Sequence, residues 1–480
     1  MSLEQRAGQV LVQFYGGTNP ATAVDRTKRL HLAGSIIMAD NVPTTGGGGV
    51  DVEAMTGVIE RLASAGAVAR DWPALIGVDQ EGGLVARLGS PLTTWPTPMT
   101  YGASGDAQVA RKAQKSINQE LSALGFTVNF APDADVTIGA VDPTIRSRSY
   151  GSDPDLVSAM ASSAMRGALA SGVLPVVKHF PGHGSVTTDS HLGLPVQAAS
   201  LKELKKRDWK PFRATVEQGA PMIMMGHIAV EALEPAVPSS VSAASYQALR
   251  GLGFEGVAVT DAMNMQAIQE KYAPGEAAAK ALTAGADLIL MPPDVEAAHA
   301  AIVAGVRDGS IPKRRLTEAA TRVAALMKYQ ASIAEPVEKD VIGSHHGVSK
   351  AASAAGLTVL EGPCKGVIGA SVSVSGGTES DRKRFRAAAH RHGVSTGSGP
   401  EVALLGEGQL GTGDIVVALA GPWALAGAEA TTSRIALYGR TPGAFDALLD
   451  FLTGEAGAPG KLPVDVGGFP AGAGCGGQGN

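Results

Sequence analysis

The feature that most constrains the fold is an alternation of short apolar runs with longer helical patterns up to about residue 330 of this 480-residue chain. Such alternation is typical of repeated strand–helix units. The predicted strands cover residues 10–14, 35–38, 74–78, 127–130, 173–177, 222–225, 257–259 and 288–290. Eight units predict a closed parallel (β/α)8 barrel, and an open doubly wound sheet, which usually has fewer strands, ranks second.

A second, smaller domain is expected after the barrel, because a chain of this length favours two domains. Residues 338–350 turn polar, and strand and helix patterns resume after them. We predict a barrel domain over 1–335, a linker over 336–350 and an α/β/α sandwich domain over 351–480. Its predicted strands cover 357–360, 367–374, 402–405, 415–419 and 435–438, and its predicted helices cover 381–392 and 442–452.

The charge pattern argues against several classes of partner. The net charge is −5, and no cluster of Lys and Arg is interleaved with aromatic residues, so we expect neither nucleic-acid nor anionic-membrane binding. The longest apolar stretch, 415–428, is shorter than the roughly 20 residues of a membrane-spanning helix. No leader pattern opens the chain, which predicts a cytoplasmic protein, or an extracellular or cell-surface one if a leader was removed.

The two cysteines, Cys364 and Cys475, both lie in the last third of the chain. Disulfide connectivity cannot be deduced from spacing alone. We therefore expect two buried or unreactive thiols rather than a disulfide.

Ionisable residues recur directly after the predicted strands. In a parallel barrel the carboxyl ends of the strands converge on one face, so side chains that are distant in sequence line one pocket there. The residues in this position are Asp79, Asp133, Lys178, His179, His227 and Asp261. So many polar groups at one face predict a site for a polyhydroxylated ligand.

Asp261 follows the seventh predicted strand. A carboxylate fixed at a barrel mouth can attack an electrophilic carbon and form an ester, as the nucleophile of a retaining glycosidase does. Taken alone, the local sequence favours a different role, the N-cap of the next helix.

The segment Lys178-His179-Phe180-Pro181-Gly182-His183-Gly184 precedes Asp189-Ser190-His191. Asp189 lies two residues before His191 and can hold its imidazole in one tautomer, which makes the pair a candidate acid/base. A metal site is the competing interpretation, but His179 and His183 fall on a Pro/Gly loop and no cysteine is near, so we predict no metal. His183 is expected to satisfy backbone groups of the loop.

Three basic residues, Arg87, Arg148 and Lys178, lie at or beyond strand ends near Asp79. A carboxylate such as Asp79 can accept hydrogen bonds from two adjacent hydroxyls of a sugar ring. Taken singly, each basic residue is better explained as an ordinary surface or ion-paired side chain. Together they favour sugar binding.

Four strings, KHFPGHGSVTTDSH, GVDQEGGLVARL, SRSY and VTDAMNM, together resemble the β-N-acetylglucosaminidases of glycoside hydrolase family 3. The resemblance implies a retaining exo-acting enzyme without a cofactor that releases N-acetylglucosamine from peptidoglycan fragments or chitin oligosaccharides. It implies Asp261 as the nucleophile, His191 as the general acid/base and Asp189 as its partner. The residues that it implies for sugar binding are Asp79, Arg87, Arg148, Lys178 and His179. The segment before Arg148 departs from the family pattern, in which a glycine is common.

Two other functions remain open. A histidine acid/base does not repel an incoming phosphate as a carboxylate does, so a phosphorylase of the same substrates is an alternative. A carbohydrate-binding protein on an inactive barrel is the second, although a binding module has no need of a proton shuttle. The oligomeric state is not predicted.

Overall fold

The computed structural model describes residues 1–68 and 70–475, and its larger part is a parallel barrel. All eight predicted strands are present. They are β1 (Leu11–Gln13), β2 (Gly34–Ile37), β3 (Leu75–Val78), β4 (Val128–Asn129), β5 (Leu174–Phe180), β6 (Met222–Met225), β7 (Val257–Thr260) and β8 (Ile289–Leu290).

The strands follow one another around the barrel in the order β7-β6-β5-β4-β3-β2-β1-β8. The two ends of this sheet meet through a parallel bridge between Val259 and Leu288, and the amide of Thr260 donates to the carbonyl of Leu288 at 3.0 Å. Between β2 and β3, a Cβ on Gly34 would lie 1.7 Å from the carbonyl oxygen of Leu75, so only glycine fits there. The predicted (β/α)8 barrel is confirmed.

Helices surround the barrel and bury one apolar face each. Helix Ala107–Leu124, for example, begins where Asp106 accepts the amide of Gln108 at 2.8 Å and ends at Gly125, whose φ is +96°. The barrel helices are Leu3–Gly8, Ala21–Leu30, Val52–Gly66, Met99–Ser104, Ala107–Leu124, Pro154–Leu169, Leu201–Lys206, Trp209–Glu217, Ala243–Arg250, Gln266–Gln269, Pro274–Ala284, Val295–Asp308 and Lys313–Ile333.

The predicted linker is more ordered than its polar sequence indicates. A 3-10 turn covers Lys339–Val341, and helix His346–Gly356 begins inside the segment. The segment also contacts the barrel, since the amide of His345 donates to Thr93 Oγ1 at 3.2 Å. The boundaries at 335 and 351 stay a prediction.

The second domain is built on a five-stranded sheet. Its strands are β9 (Thr358–Glu361), β10 (Ser371–Gly376), β11 (Ser395–Leu405), β12 (Thr412–Ala418) and β13 (Glu429–Ala436). The order is β9-β13-β12-β11-β10, and β9 alone among these five described strands runs antiparallel to its neighbour. The strand predicted over 367–374 begins later, at Ser371, because residues 367 and 368 instead donate their amides to the carbonyl of Leu452.

The two faces of this sheet are covered differently. Helices Glu379–Arg391 and Pro442–Leu452 cover the face that carries Val402 and Leu404. The opposite face, with Ala403 and Leu405, packs against barrel residues that include Met99. The barrel domain therefore supplies part of the second domain's core, through the apolar residues of helix Met99–Ser104.

The two cysteines form a disulfide, Cys364–Cys475, so the expectation of two thiols was wrong. The chain end folds back on the domain, where the amide of Leu462 donates to the carbonyl of Ala473 and the amide of Gly472 to that of Leu462, both at 2.8 Å. This return brings together residues 111 positions apart. Within residues 1–68 and 70–475, we find no helix with the length and apolar character needed to cross a bilayer.

Candidate active site

A cleft of about 610 Å3 opens at the carboxyl ends of the barrel strands. Seven of the eight residues singled out from the sequence line it: Asp79, Arg87, Arg148, Lys178, His179, His191 and Asp261. The eighth, Asp189, contacts His191. Groups from four strand ends and their loops, those of β3, β4, β5 and β7, are thus within reach of one ligand.

Asp261 directly follows β7, and its amide donates to the carbonyl of Met225 in β6 at 2.9 Å. One carboxylate oxygen, Oδ1, accepts the amide of Ala262 at 2.7 Å. The next helix begins only at Gln266. The N-cap alternative for Asp261 is therefore wrong, and its carboxylate faces the cleft.

The carboxyl of Asp261 is held in its charged form. Burial alone would raise its pKa, but the neighbouring imidazoles of His227 and His179 and the amide of Ala262 outweigh burial and lower the pKa to about 2. A carboxylate that stays ionised at every working pH suits a nucleophile.

His191 lies on an open loop, with 61% of its side chain exposed, and forms one close polar contact. Its Nδ1 lies 2.7 Å from Oδ1 of Asp189, which also accepts the amide of His191 at 2.9 Å. Burial raises the pKa of Asp189, but these bonds outweigh it and lower the pKa. An ionised Asp189 accepts a hydrogen bond from Nδ1–H of His191. Nε2 of His191 is then free to exchange a proton with a ligand.

The basic residues of the cleft are already paired. Lys178 Nζ lies 2.9 Å from Oδ1 of Asp79 and 2.8 Å from Oε1 of Glu81. Arg87 lies 3.5 Å from the other oxygen of Asp79. Arg148 binds Glu81 through two bonds, from Nε at 3.0 Å and from Nη2 at 2.8 Å. These cations hold carboxylates in place, so the ordinary ion-pair alternative is correct for part of their role.

Glu81 is the hub of this network and is fully buried. Burial alone would raise its pKa, but Arg148 and Lys178 together bring it down to about 2. The pKa of Lys178 is raised, since Asp79 and Glu81 outweigh its burial. Three cations, Lys178, Arg87 and Arg148, thus meet two carboxylates, those of Asp79 and Glu81.

Behind this network lie two more buried acids, Asp133 and Asp135. Asp135 accepts His179 Nδ1 at 2.7 Å, the amide of His179 at 3.2 Å and the amide of His183 at 2.5 Å. Oδ2 of Asp133 accepts no hydrogen bond, although Arg148 lies 3.6 Å away. Burial and the adjacent Asp135 raise the pKa of Asp133 well above its usual range, which favours its neutral, protonated form.

Asp133, Asp135 and His179 lie close enough to share one cation. The guanidinium of Arg148 already supplies positive charge beside them, since it lies 3.5 Å from Nε2 of His179. Burial and Arg148 lower the pKa of His179 well below its usual value. The imidazole is therefore neutral, donates from Nδ1 to Asp135 and has Nε2 next to the Arg148 guanidinium.

His183 is buried inside the loop, and its Nε2 lies 2.8 Å from the hydroxyl of Ser190. It therefore connects the start of the loop with the residue next to His191. The backbone of His183 is also held in place, because its amide donates to Asp135.

Residues 144–147, directly before Arg148, include no glycine, yet one of them adopts the conformation that glycine favours. Arg146 has a φ of +49°, which costs an ordinary residue about 1–2 kcal/mol. Asp142 supports it by accepting the amides of Ile145 and Arg146 at 2.9 and 3.1 Å. The Arg146 side chain also lies 3.3 Å from Glu407 in the second domain.

Two residues of the site, Glu81 and Asp135, were missed from the sequence, and Asp133 was placed at a strand end without a role. Glu81 stands two residues after Asp79, and Asp133 and Asp135 are separated by one residue after β4. Acids spaced by two at a strand exit place both side chains on one side of the chain, and this spacing was the signal available.

The sequence profile of the glycosyl hydrolase family 3 N-terminal domain matches residues 3–326. "Beta-hexosaminidase LpqI" of Mycobacterium tuberculosis is 32% identical over 336 residues, which are 68% of this chain and 83% of that protein. "Beta-hexosaminidase A" of Pseudoalteromonas piscicida is 33% identical over 293 residues, 57% of this chain, and the match spans only about half (48%) of that longer protein.

A solved structure resembles the chain over both domains. It is a family 3 β-N-acetylglucosaminidase from Paenibacillus sp. str. FPU-7, with a TM-score of 0.85 and 28% identity, and the match covers 96% of this chain and 98% of that one. The second domain is thus part of the shared architecture. Since the family profile covers about two thirds of the sequence, the chain belongs to glycosyl hydrolase family 3.

Proposed function

We propose that this protein is a retaining exo-β-N-acetylglucosaminidase that removes terminal β-linked N-acetylglucosamine from peptidoglycan fragments or chitin oligosaccharides. Two relatives named as β-hexosaminidases and a structural neighbour named as a β-N-acetylglucosaminidase support this activity. The observation that carries the proposal is that an ionised Asp261 and a His191 paired with Asp189 line the same cleft.

In the first step, a carboxylate oxygen of Asp261 attacks the anomeric carbon of the sugar. The bond from that carbon to the glycosidic oxygen breaks, and the oxygen keeps the electron pair and takes the proton from Nε2 of His191. The products are a glycosyl ester on Asp261 and the free leaving group.

In the second step, Nε2 of His191 takes a proton from water, and the water oxygen attacks the same carbon. The ester bond breaks and the Asp261 carboxylate is regenerated. Asp189 steadies the imidazolium that forms in this step. Because the sugar carbon is inverted twice, its β configuration is retained.

Asp79, Arg87, Arg148, Lys178 and His179 hold the sugar in this proposal. Asp79 is anchored by Lys178 and Arg87 and accepts hydrogen bonds from ring hydroxyls, while His179, held at Nδ1 by Asp135, lines the cleft and contacts the sugar. Arg148 acts mainly by holding Glu81 under Lys178.

The test is to trap the ester with a 2-fluoro sugar that carries a good leaving group and to measure intact mass. We expect an adduct of one sugar on the wild type and none on Asp261→Ala. Tight binding of chitobiose without any cleavage would instead support a carbohydrate-binding protein. An adduct on Asp261→Ala would reject Asp261 as the nucleophile.

Phosphorolysis is the second candidate, and the observation that favours it is the imidazole at the acid/base position. An imidazole carries no negative charge to repel phosphate, whereas a carboxylate does. Product analysis with chitobiose and with a muropeptide, each with and without phosphate, separates the two. Hydrolysis gives free N-acetylglucosamine in both conditions, while phosphorolysis gives the sugar 1-phosphate and a rate that rises with phosphate.

A further inference from the structure

A second cleft, of about 450 Å3, lies between the barrel and the second domain. From the barrel it is lined by the hairpin formed by strands Gln80–Gly82 and Val85–Ala86 and by residues 88–95 and 97. From the second domain it is lined by residues that directly follow β12 and β13. Ligands of open α/β sheets bind at the carboxyl ends of parallel strands, where this cleft is situated.

The hairpin is a wall shared by the two clefts. Val85 and Arg87 face the sugar cleft, whereas Leu84, Ala86 and Leu88 face the second cleft. This alternation is the two-residue period of an extended strand. A ligand in the second cleft therefore occupies a space distinct from that of the sugar.

The charges around the second cleft have one sign. Arg384, Arg440 and His346 line it, and none of the described residues that line it is acidic. The two guanidiniums share one carboxylate outside the lining, that of Asp381, which lies 2.7 Å from Arg440 and 3.7 Å from Arg384. One positive charge is left over, and the side chain of Arg384 is 42% exposed.

The rest of the cleft is mainly apolar and preformed. Leu88 and Trp95 are buried at its barrel side, and Leu419 is buried at the other. The two sides are tied together, since the amide and hydroxyl of Thr97 donate to the carbonyl of Tyr438 at 3.0 and 2.9 Å. A preformed cleft binds without the entropic cost of ordering its walls.

We propose that this cleft is a second ligand site, for a small organic anion with an apolar body. The anionic group, a carboxylate or a phosphate ester, pairs with Arg384 at the rim, and the apolar body rests on the exposed side chains of Leu84, Ala86 and Pro91. An aromatic or branched aliphatic acid has this chemistry. The site is independent of the reaction proposed at Asp261.

The test is calorimetric titration of the full chain with benzoate, phenyl phosphate and benzamide, in the presence of saturating N-acetylglucosamine to occupy the sugar cleft. Benzamide has the shape of benzoate without its charge. We expect benzoate or phenyl phosphate to bind at concentrations below roughly 10 mM and benzamide to bind more weakly. Whichever anion binds more tightly identifies the carboxylate or the phosphate ester as the anionic group.

Arg384→Gln is the test variant, and we expect it to weaken binding of the anion about tenfold, as for loss of a hydrogen bond to a charged group. Leu84→Glu places a carboxylate at the apolar side of the cleft and should weaken it too. Arg386→Gln is the matched control, because Arg386 is on the same helix, has 45% of its side chain exposed and pairs with Glu379 at 3.3 Å outside the cleft.

Three results would overturn the proposal. The first is no heat from either anion, and the second is benzamide binding as tightly as the anions. The third is equal loss of binding in Arg384→Gln and Arg386→Gln. Thermal melts of each variant separate a binding defect from a folding defect, and cleavage activity should be close to wild type in all three variants.

Discussion

Arg148 and Glu81 form a buried ion pair through two parallel hydrogen bonds, of 3.0 Å from Nε and 2.8 Å from Nη2. Glu81 has no access to solvent, and it also binds Lys178 at 2.8 Å. The pair lies at the base of the sugar cleft, so the position of Lys178 and through it that of Asp79 depend on Glu81.

Glu81→Gln should therefore lower both stability and activity. Removing one partner leaves Arg148 and Lys178 with uncompensated buried charge, and such changes cost about 3–5 kcal/mol. We expect a loss of this size in the free energy of unfolding, measured by denaturant titration. Glu361→Gln is the control, since Glu361 pairs with Arg434 at 2.9 Å but is 48% exposed, and exposed pairs contribute about 0–1 kcal/mol.

The Arg148–Glu81 pair also predicts how the free energy of unfolding depends on pH. The pKa of Glu81 is about 2 in the folded protein and about 4.3 when unfolded. A lowered pKa gives stability that is complete above pH 4.3 and is lost as the pH falls towards 2. The difference in unfolding free energy between wild type and Glu81→Gln should shrink over this range, and an unchanged difference would contradict an ionised Glu81.

Replacement by asparagine should change kcat/KM little at Asp133 and strongly at Asp135. The raised pKa of Asp133 favours a neutral carboxyl, which asparagine matches in shape, so Asp133→Asn should keep kcat/KM within a few-fold. Asp135 accepts three N–H groups, and an asparagine amide would turn a donor towards some of them. Asp135→Asn should then displace His179 and lower kcat/KM about 100-fold. Equal activity of the two variants would contradict this assignment.

The raised pKa of Asp133 has its own effect on stability. Between about pH 4 and its folded pKa, the folded chain keeps a proton that the unfolded chain releases, so stability falls as the pH rises. Asparagine does not titrate. Asp133→Asn should therefore gain stability relative to wild type as the pH rises above about 4, measured by denaturant titration at several pH values. A parallel pair of curves would mean that Asp133 is ionised.

His191→Ala should slow cleavage by an amount that depends on the leaving group. Loss of a general acid costs about 100- to 10,000-fold for a sugar leaving group, and much less for a nitrophenol, which leaves without a proton. Parallel assays on chitobiose and on a nitrophenyl glycoside measure this ratio. Asp189→Asn should show the same trend more weakly, because Asp189 only orients His191 at 2.7 Å. Equal losses on both substrates would exclude acid catalysis by His191.

Much of the barrel could be predicted from the sequence because each strand is a local apolar run. Strand β6 was predicted to the residue, and Asp261 was placed correctly at the end of β7. Strand ends also indicated four side chains that line the cleft, those of Asp79, Lys178, His179 and Asp261, since parallel strands share one orientation around the barrel. The other two residues named there, Asp133 and His227, are buried and do not line it.

The features that were missed depend on long-range contacts. Strand β5 continues to Phe180, three residues beyond its apolar run, because Lys178 and His179 are buried against Glu81 and Asp135. The regular structure of residues 339–346 depends on contacts such as that of His345 with Thr93, which is 252 positions away. No local pattern carries such information.

The disulfide is the clearest case, and it supplies the last prediction. Cys364–Cys475 closes a loop of 111 residues that contains most of the second domain. A cross-link of this length restricts the unfolded chain and stabilises by up to about 5 kcal/mol. The double variant Cys364→Ser/Cys475→Ser should lose stability by up to this amount, measured by denaturant titration without reductant.

Reductant provides the internal control for the disulfide. Reductant should lower the stability of the wild type to that of the double variant and leave the stability of the double variant unchanged. Non-reducing peptide mapping should recover the linked pair of cysteines only from the wild type. Neither cysteine lines the sugar cleft, so the folded double variant should have the kcat/KM of the wild type. Two thiols that react with a labelling reagent in the native, unreduced protein would show instead that the cross-link does not form.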